Sequence, residues 1–173
     1  VYKRQGKSPA QIAQGIRQWK TITEDHGLVT EMVAPRLWED ARGTHGGFTS
    51  NDPAIRQWAI DRALRCADIA AEVGTDLFVL WLAREGTYVR EAKNAIEAHH
   101  RLVEAMDRIL EHSPNLRIAI EAKPNEPMDH AYLPTVGHAL ALGYQTKDPA
   151  RVGAVIESAH SVLAGLDPSD DMA

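Results

Sequence analysis

Apolar residues recur at helical spacing in several long stretches, with short apolar runs between them. Ile12, Ile16 and Trp19 fall on one helical face. Ser8 and Pro9 before them suit an N-cap and a first helical position, and Gly27 closes the stretch after about residues 20–25. Residues 28–33 are apolar and short, which predicts a strand. A long loop over 35–49 contains Gly43 and Gly46-Gly47, and Asn51-Asp52-Pro53 then opens a second helix. Ile55, Ala59, Ala63, Ala67 and Ala70 form its i,i+4 stripe, closing at Gly74. Leu77, Phe78, Val79, Leu80 and Trp81 follow in succession, so 76–81 reads as a strand buried on both faces, with 84–86 a loop. A third helix is expected over about 91–111, with Ile96, Leu102, Val103, Met106, Ile109 and Leu110 inside and Pro114 ending it. A strand over 116–122, a Pro-rich loop over 123–134, a helix near 135–142 and a strand over 152–156 complete the pattern. The tail 167–173 is polar, and Pro168 is a candidate start of a further helix.

Helices of this length between short apolar strands imply parallel βαβ units. Doubly wound sheets and (β/α)8 barrels both satisfy that order. No Gly-x-Gly-x-x-Gly follows a strand, so a dinucleotide-binding fold has no support. A whole barrel takes about 250 residues and eight units. The 173 residues hold about four such strands and read as a single α/β domain, with both architectures open on this pattern. Val1 to Gln5 read as an artificial or truncated start, set aside from the fold.

Composition removes several classes of function. The chain is 44% hydrophobic and 25% charged, with a net charge of -5 and the two signs interspersed. Without a basic stripe, nucleic acid is not an expected partner. No apolar run approaches the roughly 20 residues of a membrane span, so no membrane partner is expected. The single cysteine, Cys66, can form no internal disulfide, which fits a reducing cytoplasm.

Chemistry-bearing residues gather at predicted strand ends. Glu121-Ala122-Lys123-Pro124-Asn125-Glu126-Pro127 begins where the 116–122 strand stops. Residues two apart in a strand share a face, so Glu121 and Lys123 project together at the mouth where parallel sheets build active sites. A carboxylate beside an ammonium there suits metal binding with oxyanion stabilisation; a surface ion pair is the plainer alternative. Glu157-Ser158-Ala159-His160 leaves the 152–156 strand and can offer an oxygen and an imidazole to one cation, or be a helix-start Glu with an incidental His. Trp81, in Trp81-Leu82-Ala83-Arg84-Glu85-Gly86, can wall a sugar site from water or simply be core, and Arg84 and Glu85 can pair across the strand tops. His99, His100 and His138 lie in predicted helices and read as structural or surface residues. Ser50 and Cys66 have no base beside them, so no nucleophile is assigned.

Taken together, these segments resemble the xylose isomerase family. Gly46-Gly47-Phe48-Thr49-Ser50-Asn51-Asp52 resembles that family's loop before its third barrel helix. Val79-Leu80-Trp81-Leu82-Ala83-Arg84-Glu85-Gly86 resembles its Trp-Gly-Gly-Arg-Glu-Gly segment, and Ile120 to Pro127 its Glu-Pro-Lys-Pro-Asn-Glu-Pro segment. Leu133-Pro134-Thr135-Val136-Gly137-His138-Ala139-Leu140 matches the stretch that follows, and Glu157-Ser158-Ala159-His160 forms a last block near Ala164-Gly165-Leu166.

The resemblance implies an α/β fold, a partial (β/α)8 TIM barrel running from about helix 2 to strand 6 or helix 6, in a barrel that holds two divalent cations. By position it assigns Glu121 to one metal, Glu157 to a bridge between both, and His160 to the second. It places Lys123 on the substrate carbonyl oxygen as the catalytic residue, and Trp81 and Trp38 in the walls of the sugar pocket. Mg, Mn or Co suit carboxylates with one imidazole. The implied reaction is aldose–ketose isomerisation of a sugar such as D-xylose, by a hydride shift between C1 and C2 while Lys123 stabilises charge on O1. A cytoplasmic homotetramer is the implied assembly. Departures are specific: Leu82-Ala83 replaces two glycines, Ala122 a Pro, Val155-Ile156 an Asn-Pro and Ser161 a Glu, and Met32 to Arg36 loses a Thr-Thr-Asn. In the family order, the His and Asp that open the sugar ring fall before residue 1, and the remaining aspartate ligands fall after Ala173. Two other readings stand beside the isomerase. One is a related metal-dependent barrel acting on another polyol, keto acid or phosphodiester; the other is a barrel that only binds sugar.

Overall fold

Ser8 caps helix α1 (Pro9–Asp25) with a reciprocal box: its hydroxyl takes the Gln11 N–H, and the Gln11 side chain takes the Ser8 N–H. The computed structural model describes residues 7–173, and the residues read as an artificial or truncated start lie outside them. Helix α2 (Pro53–Val73) starts on Asp52, whose carboxylate accepts the Ala54 N–H, and stops at Gly74, left-handed at φ 80°. The strands and helices that follow are β1 (Leu77–Trp81), β2 (Gly86–Thr87), α3 (Ala95–His112), β3 (Arg117–Glu121), β4 (His130–Ala131), α4 (Val136–Gly143), β5 (Val152–Val155) and α5 (Ser158–Leu163). Among the described residues no helix is long and apolar enough to cross a membrane.

The main sheet runs β1-β3-β5, both pairings parallel. It does not close. β2 and β4 form a separate two-residue antiparallel ladder above it. Phe78, Leu80, Ile118 and Ile120 face the helices and pack with Ala59, Ala63, Ala67 and Ala70 of α2, Leu102, Met106 and Ile109 of α3, and Ala139 and Leu142 of α4. The alanine stripe lets α2 approach β1 closely. Each fully buried large side chain in this layer contributes about 1.5–3 kcal/mol.

The strand expected over residues 28–33 reduces to one bridge. Val33 pairs in parallel with Phe78, its N–H donating to Leu77 O (3.1 Å) and its carbonyl accepting from Val79 N (2.8 Å). The Glu31 carbonyl accepts instead from the Thr75 hydroxyl at 2.6 Å, and Val29 is 84% exposed. An edge segment with a neighbour on one side keeps only the pairing that side enforces. Helix α3 starts later than expected because the Asn94 side chain caps it, accepting from Ile96 and Glu97 N–H, while Arg90–Ala92 form a 3-10 turn. A short helix, α5, begins directly after β5, and the tail carries only a 3-10 turn, Asp170–Met172.

Candidate active site at the carboxyl end of the sheet

Register sets the site. Trp81 pairs with Glu121 and Glu121 with Val155, so β1, β3 and β5 end level. Strand alternation puts Trp81 and Glu121 on the face opposite Phe78, Leu80, Ile118 and Ile120. Lys123 follows Glu121 by two residues, and Glu157 follows Val155 by two and becomes the N-cap of α5. The predicted site residues on three strands therefore reach one end of the sheet.

His160 meets Glu121 there, with Nδ1 3.6 Å from Oε1. Its Nδ1 also lies 3.0 Å from the Ala122 carbonyl. A carbonyl oxygen only accepts, so Nδ1 is the donor in this contact, and in the neutral imidazole Nε2 is the nitrogen that carries the lone pair. Glu157 Oε1 accepts the Ala159 N–H at 3.2 Å. Burial pushes the Glu121 carboxyl pKa above the ordinary range; His160 and Lys123 oppose that shift and Glu157 adds to it. Two like-charged carboxylates near an imidazole with a free nitrogen fit a divalent cation by charge and by donor type. Among the described residues, no group of three or more His, Cys, Asp or Glu side chains is placed to hold a metal ion.

The Lys123 ammonium lies 3.7 Å from Glu126 Oε2 and 5.6 Å above the Trp81 ring. Trp38 packs edge-on against Trp81, centroids 5.0 Å apart at 73°, and the Arg36 guanidinium lies 5.0 Å over Trp38. The Trp81 indole N–H is buried and has no hydrogen-bond partner among the described residues. Both predicted wall residues thus form one aromatic corner, with Lys123 above one of its rings.

Sequence reasoning missed Glu85. It can be read as pairing with Arg84; instead its carboxylate accepts from Gly47 N, Phe48 N, Thr49 N and the Thr49 hydroxyl. The Gly46-Gly47 pair was the available signal, because adjacent glycines permit close approach. Of the helical histidines, His99 meets the amide of Gln145, 46 residues on, at 3.0 Å, and His138 meets Thr135 Oγ1 at 2.8 Å.

Parallel strands, helices packed on one face and ionisable side chains at the carboxyl ends define part of a β/α-barrel enzyme scaffold. The family profile described as xylose isomerase-like TIM barrel matches residues 2–173, and the chain belongs to that family. It is 35% identical over 166 residues to the xylose isomerase of Thermus caldophilus, covering 94% of this chain and 43% of that protein. Against the xylose isomerase of Thermus thermophilus the identity is 34%, with the same coverage. The chain thus spans less than half the length of these curated relatives. A solved structure of a Sinorhizobium meliloti 1021 protein is 29% identical with a TM-score of 0.63, over 86% of this chain and 50% of that one. A D-tagatose 3-epimerase-like protein shares the fold at a TM-score of 0.73 and 14% identity, over 94% of this chain and 55% of that one.

Proposed function

We propose that this chain works as part of a longer barrel, a metal-dependent aldose–ketose isomerase acting on an aldose such as D-xylose. The observation that carries the reading is the meeting of Glu121 and His160, 3.6 Å apart, at the same sheet end as Lys123 and Trp81. Similarity to two xylose isomerases supports it. Glu121, Glu157 and His160 would hold divalent cations, Mg, Mn or Co. When bound, such cations polarise adjacent oxygens of an opened sugar.

The chain's own residues supply the rest. Isomerisation moves the C2 hydrogen with its electron pair to C1, and moves a proton from O2 to O1. Negative charge grows on O1 before that proton arrives. Lys123, with its side chain 17% exposed, is set to place an ammonium there, where low dielectric strengthens a charge-assisted hydrogen bond. Trp81 and Trp38 give the sugar an apolar wall that holds it in the mouth through ground state and transition state alike. Ala122 O fixes the His160 ring through Nδ1, which keeps Nε2 available to a cation.

The test is turnover of D-xylose by the longer protein carrying this chain, with Mg or Mn added. Conversion to the ketose that fails when Lys123 is replaced by Ala supports the reading. A protein that binds D-xylose without converting it would be a sugar-binding barrel instead.

A further inference from the structure

Among the described residues, Glu85 is the one charged side chain that is buried, at 3% exposure. It lies four residues past the end of β1, and its carboxylate reaches a loop 36–38 residues earlier in the chain. Oε1 accepts the N–H of Gly47 (2.8 Å) and Phe48 (3.0 Å). Oε2 accepts the N–H of Thr49 (2.9 Å) and its hydroxyl (2.6 Å). Lys93 closes the far side: its ammonium donates to Thr49 Oγ1 at 3.1 Å and to the carbonyls of His45 and Gly86. Four donors on one carboxylate, backed by an opposite charge, make a saturated clamp.

The glycines are shaped to admit it. A Cβ on Gly46, whose φ is 92°, would stand 3.0 Å from Glu85 Oε2 and 2.8 Å from Lys93 Nζ. One on Gly47 would stand 3.3 Å from Glu85 Oε1 and 3.0 Å from Ala59 Cβ. The clamped residues 47–49 end the same connection that carries Trp38 near its start. A Cβ on Gly43 would sit 2.8 Å from the Leu37 carbonyl, and one on Gly47 3.7 Å from Leu37 Cδ1, so the loop is folded onto the residue beside Trp38. Trp38, Trp81, Gly47 and Glu85 line a single void of about 10 Å³.

We propose that Glu85 is a positioning residue: by clamping residues 47–49 it holds Trp38 edge-on to Trp81 and so sets the aromatic wall of the mouth. The proposal rests on the reading of that mouth as a sugar site. It assigns Glu85 no contact with substrate. Glu85→Gln keeps the size but turns one oxygen into a donor, which faces donors already there, and it removes the counter-charge of Lys93.

The readout that a merely structural role would not move is the Trp38–Trp81 pair. Its circular-dichroism coupling is defined as the difference between the longer protein and its Trp38→Phe variant. Glu85→Gln is expected to lose that coupling while keeping its helical signal. KM for D-xylose is expected to rise about tenfold with kcat little changed, because a wall that binds ground and transition states alike acts through KM. Thr49→Val, which removes one donor and leaves the charge in place, is expected to lose part of the coupling and serves if Glu85→Gln does not fold. Unchanged coupling in a folded Glu85→Gln or Thr49→Val protein would overturn the proposal. Lost coupling in a protein whose wild type does not turn over D-xylose would uphold the clamp and overturn the sugar reading instead.

Discussion

The Glu121 carboxylate and the His160 imidazole meet across the gap between the end of β3 and the start of α5, Oε1 to Nδ1 at 3.6 Å. They come from separate β/α units and are brought together only because β3 and β5 pair in parallel and end level. The Ala122 carbonyl, 3.0 Å from the same nitrogen, fixes the ring. That leaves Glu121 half-buried without a full counter-charge, and burial is the largest cause raising its pKa.

This gives a stability prediction for the metal-free chain. A carboxyl whose folded-state pKa is raised favours the protonated form in the fold. Its contribution is fully present below the unfolded pKa and is lost as pH rises through the raised folded value. Glu121→Gln should therefore raise the melting temperature at neutral pH in chelator and flatten its fall over that window. A lower melting temperature at neutral pH than the parent would show that Glu121 is instead well compensated by His160 and Lys123.

Lys123→Ala in the longer protein should lower kcat by about 10²–10³-fold, the usual loss when one preorganised donor to a developing oxyanion is removed. Metal affinity should stay close to that of the parent, since the ammonium neighbours Glu126 and Trp81 and is assigned to substrate. Steady-state kinetics beside calorimetric Mn titration check both halves.

Glu157→Gln should lower metal affinity by at least about 100-fold, because removing even an outer partner of a metal site typically loses 10–100-fold. Gln retains an oxygen that can accept the Ala159 N–H, so the cap of α5 survives and folding should be near parental. Titration showing two ions bound with unchanged affinity would remove Glu157 from the ligand set.

Arg151 ties β5 to the end of α3. Its guanidinium donates to the carbonyls of Leu110, Ser113 and Leu116 and pairs with Asp148. Arg151→Met leaves those acceptors short of donors and should destabilise the fold by about 1–3 kcal/mol, measured by denaturant unfolding. An effect within about 0.5 kcal/mol, ordinary for a surface site, would mean water replaces the guanidinium.

The strand ends near Trp81, Glu121 and Glu157 were legible because short apolar runs and capped helices bracket them. Ser8, Asp52 and Gly74 act as their local chemistry predicts. Residues 28–33 misled because apolarity alone does not supply a pairing partner, and Leu28 and Val29 are exposed. Glu85 was invisible for a different reason. Its partners lie 36–38 residues away, and a carboxylate beside an arginine suggests a local pair where the fold makes a distant one. Glu157 caps α5, the helix-start character its sequence offered, and its charge adds to the raised pKa of Glu121.

The most direct test is D-xylose turnover, assayed for the longer protein, its Lys123→Ala variant and the isolated 173-residue chain, each with and without Mg or Mn. The account predicts metal-dependent conversion to the ketose by the longer protein alone. The isolated chain should be inactive, because its sheet is open and, among the described residues, no group of three or more His, Cys, Asp or Glu is placed to hold a metal ion. Conversion by the isolated chain, or conversion that survives Lys123→Ala undiminished, would contradict it.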